Sequence, residues 1–262
     1  MKLSFEKYHG AGNDFILVDN RHHHFPKEPA LIAQLCDRRL GIGADGLILI
    51  ESHPDFDFEM HYYNADGGLG SMCGNGGRCA VIFAKETGHF SQSTATFMAI
   101  DGIHTATIIN QSLVKISMTP VTKISKAGSD YVLDTGSPHY VRFSENVDEV
   151  DIITEGKKIR YGTTYREKGI NVNFATLSGD DCSMRTYERG VENETLSCGT
   201  GTVAVAIAAA LQLKKEAVNQ EYLITAPGGK LKVYFTKESP EHFTNIFLEG
   251  PVQQVFHGET EI

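Results

Sequence analysis

The sequence predicts an α/β fold built from two similar units, each a β-sheet wrapped around one buried helix. Three observations predict it. Short β-rich runs alternate with turns along the 262 residues. Two apolar helical segments interrupt these runs, and each follows a cysteine and a glycine-containing turn. These cysteines, Cys73 and Cys198, lie 125 positions apart, about half the chain length.

Alternating apolar residues and β-branched residues, bounded by Gly, Pro, Asn and Asp, predict seven strands in each half of the chain. In the first half they are LSFEKYHG, DFILVDN, GLILIES, FDFEMHYYN, TATFMAI, HTATIIN and LVKISMTP. In the second half they are YVLDTG, HYVRF, INVNFATL, DCSMRTYE, YLITAPGG, KLKVYFTK and TNIFLEGP.

The two helical segments are predicted over Cys79–Glu86 and Val203–Leu213. The first ends before Thr87-Gly88, where glycine suits a left-handed helix cap. The second, VAVAIAAALQL, is apolar on every face, and such a helix is buried on every side. In a strand-rich chain this pattern predicts a sheet that surrounds the helix.

The two halves also match outside the cysteines. A shift of 125 places MHYYNADG (60–67) over RTYERGVE (185–192), with Tyr62 on Tyr187 and Asn64 on Arg189. A shift of 126 places Gly10 to Asn13 over Gly136 to His139. Coincidental α/β patterning is the alternative, but the shared order of motifs favours a duplicated unit with its boundary near residues 118–120.

Composition narrows the class of protein. The net charge of −9 argues against a general nucleic-acid binder, which needs basic surfaces to neutralise phosphates. The start, MKLSFEKYHGAGNDF, lacks the pattern of a signal peptide. The longest strongly apolar stretch, Val203–Leu211, is far shorter than the ~20 residues that span a bilayer. We therefore expect a cytoplasmic protein with neither a nucleic-acid nor a membrane partner.

The five cysteines are odd in number and include no CxxC pair. A disulfide framework is therefore not expected, and the spacing of Cys73 and Cys79 suits neither a zinc site nor a thioredoxin motif. We predict no metal site. Cys36, Cys79 and Cys182 are expected to pack as small core residues.

Cys73 and Cys198 are expected to cap helices. A helix N-terminus offers unpaired N–H groups and partial positive charge, which bind anions and favour a thiolate. Glycines after each cysteine let the backbone approach a ligand closely. If the halves face one another, one thiol can remove a proton from a carbon while the other delivers a proton to its opposite face, which inverts a stereocentre.

These motifs give the chain a resemblance to the diaminopimelate epimerase family. As a set they are specific, and they extend over nearly the whole chain: HGAGNDF (9–15), CDRRLGIGADGL (36–47), YNADG (63–67), MCGNGGRC (72–79), GSPH (136–139), INVNF (170–174), YERGVENETLSCGTG (187–201) and APGG (226–229).

The resemblance implies roles for individual residues. Cys73 and Cys198 match the two catalytic acid/base cysteines. The helix-end groups that grip the reacting carboxylate match Gly74, Asn75, Gly199 and Thr200. Residues that line the substrate and hold its far end match Asn13, Asn64, Asn171, Glu188 and Arg189. His139 and Glu188 match residues that help to set the ionisation of the thiols or handle the amino group.

The resemblance also implies the fold and the reaction. Each unit is expected to be a mixed sheet curled around its central helix, with residues 1–118 plus 252–262 in the first unit, residues 119–251 in the second, and the active site in the cleft between them. The implied reaction interconverts LL- and meso-2,6-diaminopimelate in lysine and peptidoglycan precursor synthesis. No cofactor is implied, pyridoxal phosphate included, and the family is commonly homodimeric. The chain departs from the family at Gly46, where many members have Gln, and at Ser137, where many have Asn.

Two other functions remain open at this point. A proline racemase or hydroxyproline epimerase is similar in fold and in its paired thiols, but its substrate has no second carboxylate to engage Arg189 and Asn64. A thiol redox switch or binding protein, in which Cys73 and Cys198 form a disulfide, belongs to a different class. Titration of thiols together with an epimerisation assay separates these classes.

Overall fold

Strands make up most of the regular secondary structure, as the alternating runs predict. The computed structural model describes residues 2–179 and 181–262, so Met1, which begins the predicted first unit, and Asp180 lie outside the described residues. The elements are β1 (Lys2–Gly10), β2 (Asn13–Asp19), α1 (Pro29–Cys36), β3 (Gly46–Glu51), β4 (Phe58–Asn64), α2 (Gly74–Glu86), β5 (Thr94–Ala99), β6 (Gly102–Asn110), β7 (Leu113–Ser117), β8 (Ile124–Ala127), β9 (Asp130–Asp134), β10 (Pro138–Phe143), a short 3-10 helix (Val147–Glu149), α3 (Ile152–Arg160), β11 (Asn171–Ser178), β12 (Asp181–Glu188), β13 (Asn193–Thr195), α4 (Gly199–Gln212), β14 (Asn219–Ala226), β15 (Gly229–Ser239), β16 (His242–Pro251) and β17 (Gln253–Glu261).

The chain divides into two compact units. Unit 1 comprises Met1–Ile116 with Gly250–Ile262, and unit 2 comprises Ser117–Glu249. In unit 1 the strands pair in the order β17-β1-β2-β3-β4-β5-β6-β7. The β2–β3 and β4–β5 pairs are parallel and the other pairs are antiparallel, so the sheet is mixed.

Unit 2 repeats this pairing pattern. Its strands follow the order β8-β9-β10-β11-β12-β14-β15-β16, and again the third and fifth pairs, β10–β11 and β12–β14, are parallel. The short β13 adds to the end of β12. Strand β17 occupies in unit 1 the sheet position that β8 occupies in unit 2.

Each unit buries one helix against its sheet. Helix α2 contacts β1, β2, β3, β4 and β6, and α4 contacts β9, β10, β11, β12, β14 and β15. A helix that touches this many strands requires a sheet that curls around it. In α4, Val203–Ala210 are fully buried, as expected of a helix with no polar face. The predicted α/β class, with a mixed sheet around a central helix in each unit, is confirmed.

Both central helices begin earlier than the sequence pattern predicts, at Gly74 rather than Cys79 and at Gly199 rather than Val203. Glycine is a poor helix former, so these turns look non-helical in sequence. Packing overrides that preference: a Cβ at Gly76 would lie 3.0 Å from Ile48 Cδ1, and one at Gly201 would lie 2.5 Å from Asn173 Oδ1. The glycines therefore let the helix ends approach the sheet.

The three cysteines predicted to be structural are buried in the core. Cys36, Cys79 and Cys182 are at most 3% exposed, which confirms the prediction. Burial raises the pKa of the Cys36 thiol to about 12 and that of Cys79 further still, so both remain protonated at neutral pH. Across residues 2–179 and 181–262, every helix is too short or too polar to cross a lipid bilayer.

Candidate active site

The two thiols occupy the same local position in the two units. Cys73 precedes α2 with φ −108° and ψ 114°, and Cys198 precedes α4 with φ −122° and ψ 111°. Each cysteine carbonyl accepts the first hydrogen bond of its helix, from Gly77 N (2.7 Å) or Thr202 N (2.8 Å). The first N–H groups of an α-helix cannot bond within the helix, because no helical carbonyl lies four residues before them. Each thiol thus lies beside a set of backbone donors.

In unit 1, Asn13 and Asn75 lie against Cys73. The thiol of Cys73 donates to Asn13 Oδ1 across 3.5 Å, and Asn75 Nδ2 donates to the same oxygen across 3.3 Å. Asn13 is the first residue of β2, and Asn75 is in the first turn of α2. The fold therefore brings together three of the residues predicted for the site, from segments about 60 residues apart in sequence.

Two charged residues extend this cluster. Asn13 Nδ2 donates to Asp45 Oδ2 (2.7 Å), and Arg78 donates to Asn75 Oδ1 (2.8 Å) and to the Gly74 carbonyl (3.2 Å). Arg78 is fully buried; burial lowers its pKa to about 10, which leaves it a cation at neutral pH. Neither Asp45 nor Arg78 was predicted as a site residue, although an arginine beside the apolar run CAVIFA was a signal available in the sequence.

Asn64 lies apart from this cluster in the hydrogen-bond network of the described residues. It ends β4, pairs in register with Gly46 of β3, and has an exposed side chain. A Cβ at Gly46 would lie 2.5 Å from Tyr62 Cε2, and one at Gly70 would lie 2.4 Å from Tyr62 Cδ1. The Tyr62 ring therefore fills the space beside Gly46, the position where many family members have Gln.

In unit 2, Cys198 contacts Thr200, which in turn contacts His139. Thr200 Oγ1 lies 3.6 Å from Cys198 Sγ and 2.8 Å from His139 Nε2. Asn173 Nδ2 faces both the Tyr140 carbonyl (3.0 Å) and His139 Nδ1 (3.1 Å). Because a carbonyl only accepts, this amide nitrogen is the donor, and His139 Nδ1 accepts from it.

This network fixes the tautomer of His139. With Nδ1 as the acceptor, neutral His139 carries its proton on Nε2 and donates to Thr200 Oγ1. The Thr200 hydroxyl keeps its own hydrogen, which it can donate to Cys198 Sγ at 3.6 Å. His139 is fully buried, and burial, reinforced by the positive charge of Arg189, lowers its pKa to about 3. His139 is therefore a neutral donor at physiological pH and orients Thr200 rather than acting as a base.

Arg189, Asn171 and Ser137 form a second cluster in unit 2. Asn171 Oδ1 accepts from the Arg189 backbone N–H (2.9 Å), and Asn171 Nδ2 donates to Ser137 Oγ (3.0 Å). The Arg189 guanidinium donates to Ser137 Oγ (3.3 Å) and to the Lys168 carbonyl (3.1 Å). Ser137, where many family members have Asn, is thus tied to two residues predicted to hold the far end of a substrate.

The register of the sheet joins the two unit 2 clusters. His139 of β10 pairs directly with Asn171 of β11. Glu188 ends β12, immediately before Arg189, and its carboxylate accepts from Thr195 Oγ1 (2.7 Å). Unit 2 therefore gathers its predicted residues at neighbouring strand ends and at the start of α4.

The arrangement suits proton transfer at a carbon next to a carboxylate. Backbone N–H groups at a helix N-terminus bind the anion and stabilise charge that develops on it. A thiol at the same position can exchange a proton with the adjacent carbon. Each unit carries one such combination.

Solved structures show which fold this is. The chain is similar over its full length to a Bacillus anthracis phenazine biosynthesis protein of the PhzF family (TM-score 0.78, 15% identity, 100% of each chain). It is also similar to a hydroxyproline epimerase from Agrobacterium vitis (TM-score 0.70, 12% identity, 98% of this chain and 92% of that one). These similarities establish the fold: two units, each with a sheet curled around a central helix.

The family model described as diaminopimelate epimerase matches residues 5–124 and 131–255. A diaminopimelate epimerase of Flavobacterium psychrophilum is 51% identical over 97% of this chain and 98% of its own length. That of Chlorobaculum tepidum is 41% identical over 95% and 98%. The chain belongs to the diaminopimelate epimerase family.

Proposed function

We propose that this enzyme interconverts LL- and meso-2,6-diaminopimelate by proton transfer at Cα, with Cys73 and Cys198 acting on opposite faces of that carbon. The observation that carries the proposal is the repetition of one arrangement, a thiol at the N-terminus of a buried helix, in two units of the same topology. The curated relatives support diaminopimelate as the substrate.

The reaction balances with two thiols and no other reagent. One cysteine, as a thiolate, removes the Cα proton and becomes a thiol. The electron pair left on Cα moves into the adjacent carboxylate. The other cysteine, as a thiol, delivers its proton to the opposite face and becomes a thiolate, so the stereocentre is inverted. The reverse direction exchanges the two roles.

The helix ends lower the barrier to this step. The charge that moves into the carboxylate meets the N–H groups around Gly74, Asn75, Gly199 and Thr200. Such preorganised donors contribute on the order of 3 kcal/mol each in enzymes where one has been removed. A positioned base adds about 10²–10⁴-fold.

Substrate choice depends on the far end of the ligand. The planar Arg189 guanidinium, held beside Ser137 and Asn171, suits bidentate binding of a distal carboxylate. Arg189→Ala is expected to lower kcat/KM for diaminopimelate by about 10- to 150-fold, since Arg189 is exposed in the free enzyme and a hydrogen bond to a charged group contributes about 1.5–3 kcal/mol. Steady-state kinetics measures this. Arg189→Lys, which keeps the charge but not the fork, should recover only part of the loss.

Exchange in heavy water tests the two-thiol reaction. Each thiol holds one proton, and a closed site keeps water from exchanging it during turnover. We expect newly formed product to carry solvent deuterium at Cα while unreacted starting isomer stays unlabelled, in both directions. Appearance of the original proton in the product would show that a single base serves both faces.

Two controls accompany this assay. Proline, which lacks a second carboxylate, should show no Cα exchange, and exchange of proline alone would assign the chain to the racemases. Cys73→Ala and Cys198→Ala should each abolish interconversion, because one face then lacks an acid or base.

We also propose that the enzyme is a cytoplasmic homodimer that serves lysine and peptidoglycan precursor synthesis. Support for a dimer comes from the outer strand β17, where Val255 is 53% and Phe256 46% exposed. Exposed apolar residues on an outer strand favour cover by another chain. A monomeric mass in light scattering at micromolar concentration would reject the dimer.

A further inference from the structure

Four side chains in unit 1 form a hydrogen-bond chain that runs in one direction. Arg78 donates to Asn75 Oδ1 (2.8 Å), Asn75 Nδ2 donates to Asn13 Oδ1 (3.3 Å), and Asn13 Nδ2 donates to Asp45 Oδ2 (2.7 Å). The chain thus passes from a buried cation, through two amides, to an anion.

The two ends of the chain fix both amides. A guanidinium has donors only, so Asn75 must turn its oxygen toward Arg78. A carboxylate accepts only, so Asn13 must turn its nitrogen toward Asp45. Amide groups can otherwise adopt either of two flipped orientations. With both ends anchored, only one orientation of each amide satisfies every hydrogen bond.

We propose that Asp45 is a positioning residue for this reaction: by binding Asn13 Nδ2, it makes the sulfur of Cys73 face the Asn13 oxygen, an acceptor, rather than a donor. The sulfur lies 3.5 Å from that oxygen. An acceptor stabilises the thiol over the thiolate, so Asp45 favours the proton-holding form of Cys73. The role of Cys73 as a catalytic acid rests on the proposed function. The polarity of its hydrogen bond to Asn13 is independent of that function.

An ion network holds Asp45 in place. Arg38 donates to Asp45 Oδ1 (2.6 Å) and to Asp14 (2.7 and 3.0 Å), and Lys7 lies 2.7 Å from Asp14. Burial opposes ionisation of Asp14, but hydrogen bonds from Arg38 and Lys7 outweigh it and lower its pKa to about 2. Asp14 therefore stays ionised, and keeps its hold on Arg38, at the pH values where thiols titrate.

Other charged and titratable groups in unit 1 also act on Cys73. On α2 these are the Arg78 cation and the buried Cys79 thiol. On the Asn13 side they are Asp45 and, beyond it, Asp14, Arg38 and Lys7. The Arg78 cation favours the thiolate of Cys73, whereas the Asn13 oxygen favours its thiol. Removing Asp45 leaves Arg78 in place but takes away both the anchor of Asn13 and one negative charge.

Alkylation of Cys73 as a function of pH tests the proposal. In full-length Cys198→Ala protein, iodoacetamide modification of Cys73 is followed by peptide mass spectrometry. With Asp45→Ala, the Asn13 nitrogen loses its acceptor, and only the 3.3 Å hydrogen bond from Asn75 Nδ2 still opposes a turn of that nitrogen toward the sulfur. We expect the alkylation midpoint to fall by about one pH unit, about tenfold in thiolate fraction. Asp37→Ala, which removes an exposed carboxylate of the same loop that caps Arg39 and Leu40, should leave the midpoint unchanged.

A double-mutant cycle separates positioning from a merely structural role. If Asp45 acts through Asn13, Asp45→Ala should shift the midpoint more in the presence of Asn13 than in an Asn13→Ala background, where only the lost charge of Asp45 acts. An unmoved midpoint in folded Asp45→Ala protein, or an equal shift in both backgrounds, overturns the proposal. If Asp45→Ala does not fold, Arg38→Ala is tested in its place. The alkylation midpoint of Cys73 must then fall, and an unchanged or higher midpoint overturns the proposal.

Activity gives a separate readout. In the chain with both cysteines, Asp45→Ala is expected to lower kcat/KM for diaminopimelate at least tenfold, because misplaced groups reduce turnover. The alkylation midpoint requires no substrate. If the chain proves to act on another substrate, the proposed function fails and the midpoint shift still decides the role of Asp45.

Discussion

At Cys198 the neighbour of the sulfur is a hydroxyl, whereas at Cys73 it is an amide oxygen. The Thr200 hydroxyl, which accepts from His139, keeps a hydrogen that it can donate to Cys198 Sγ. A donor favours the thiolate. Thr200→Val is therefore expected to raise the pH midpoint of Cys198 alkylation by about one unit, measured in a Cys73→Ala background.

Thr202→Val is the matched control for this prediction. Thr202 lies in the same turn of α4, but its hydroxyl donates to the Cys198 carbonyl (2.8 Å) rather than to the sulfur. The control should leave the midpoint unchanged. Equal midpoints for both variants would mean that the Thr200 hydroxyl has no influence on this thiol.

Single residues mark the limit of what the sequence predicts. The glycine turns after Cys73 and Cys198 predict helix-capping thiols because capping is local in sequence. Asn173, which fixes the His139 tautomer, and Asp45, which fixes Asn13, carry no such local signal. Their side chains act across strands and loops, and contacts of that kind follow only from the folded sheet.

Among the elements, α4 shows how strongly the site depends on core packing. Ile207 in its centre is fully buried. Ile207→Ala removes methyl groups and leaves a cavity, which is expected to lower the free energy of unfolding by about 2–5 kcal/mol. Urea denaturation followed by circular dichroism measures this change.

Leu40→Ala is the control for Ile207→Ala, because Leu40 is 86% exposed and its truncation opens no cavity. It should change the free energy of unfolding by less than about 0.5 kcal/mol. A similar loss for both variants would contradict the central role of α4 in the core.

The strands and helices were largely predictable because β periodicity and apolar helical runs are local patterns. The helix starts were not. Gly76 and Gly77 read as a turn, yet they are helical and lie where the neighbouring strands leave no space for a side chain: a Cβ at Gly77 would lie 2.7 Å from Ile116 Cδ1 of β7. Tertiary packing decided these boundaries.

For the whole molecule, the buried neutral His139 predicts a loss of stability toward acid pH. Its folded pKa is lowered to about 3, whereas an unfolded histidine titrates near 6.5. The stability that this depressed pKa contributes is complete above pH 6.5 and declines as the pH falls toward 3. Between pH 6.5 and 5 we expect a loss of about 2 kcal/mol.

Urea unfolding at pH 7, 6 and 5 measures this loss. His139→Asn, which removes the titrating group, should flatten the dependence, and the exposed His24→Asn should retain it. An unchanged slope in His139→Asn would assign the acid sensitivity to other groups.

At this scale the sequence predicted a duplication from weak identity, and the strand pairings of the two units follow one pattern. The order of motifs is retained where residue identity is lost. A sheet around a helix constrains which positions are apolar more strongly than it constrains which apolar residue stands at each position. The exchange of β8 for β17 at the edge strand is a matter of topology that residue patterns do not encode.

The position of β17 also imposes an order on protein synthesis. The ribosome makes β1 and the strands up to β7 before unit 2, and only after unit 2 does it make β17, which pairs with the edge of β1 opposite β2. Until then that edge of β1 keeps its backbone groups unpaired. The nascent chain can therefore finish the half that carries Cys198 before the half that carries Cys73, and two-thiol catalysis must wait until β17 has been made.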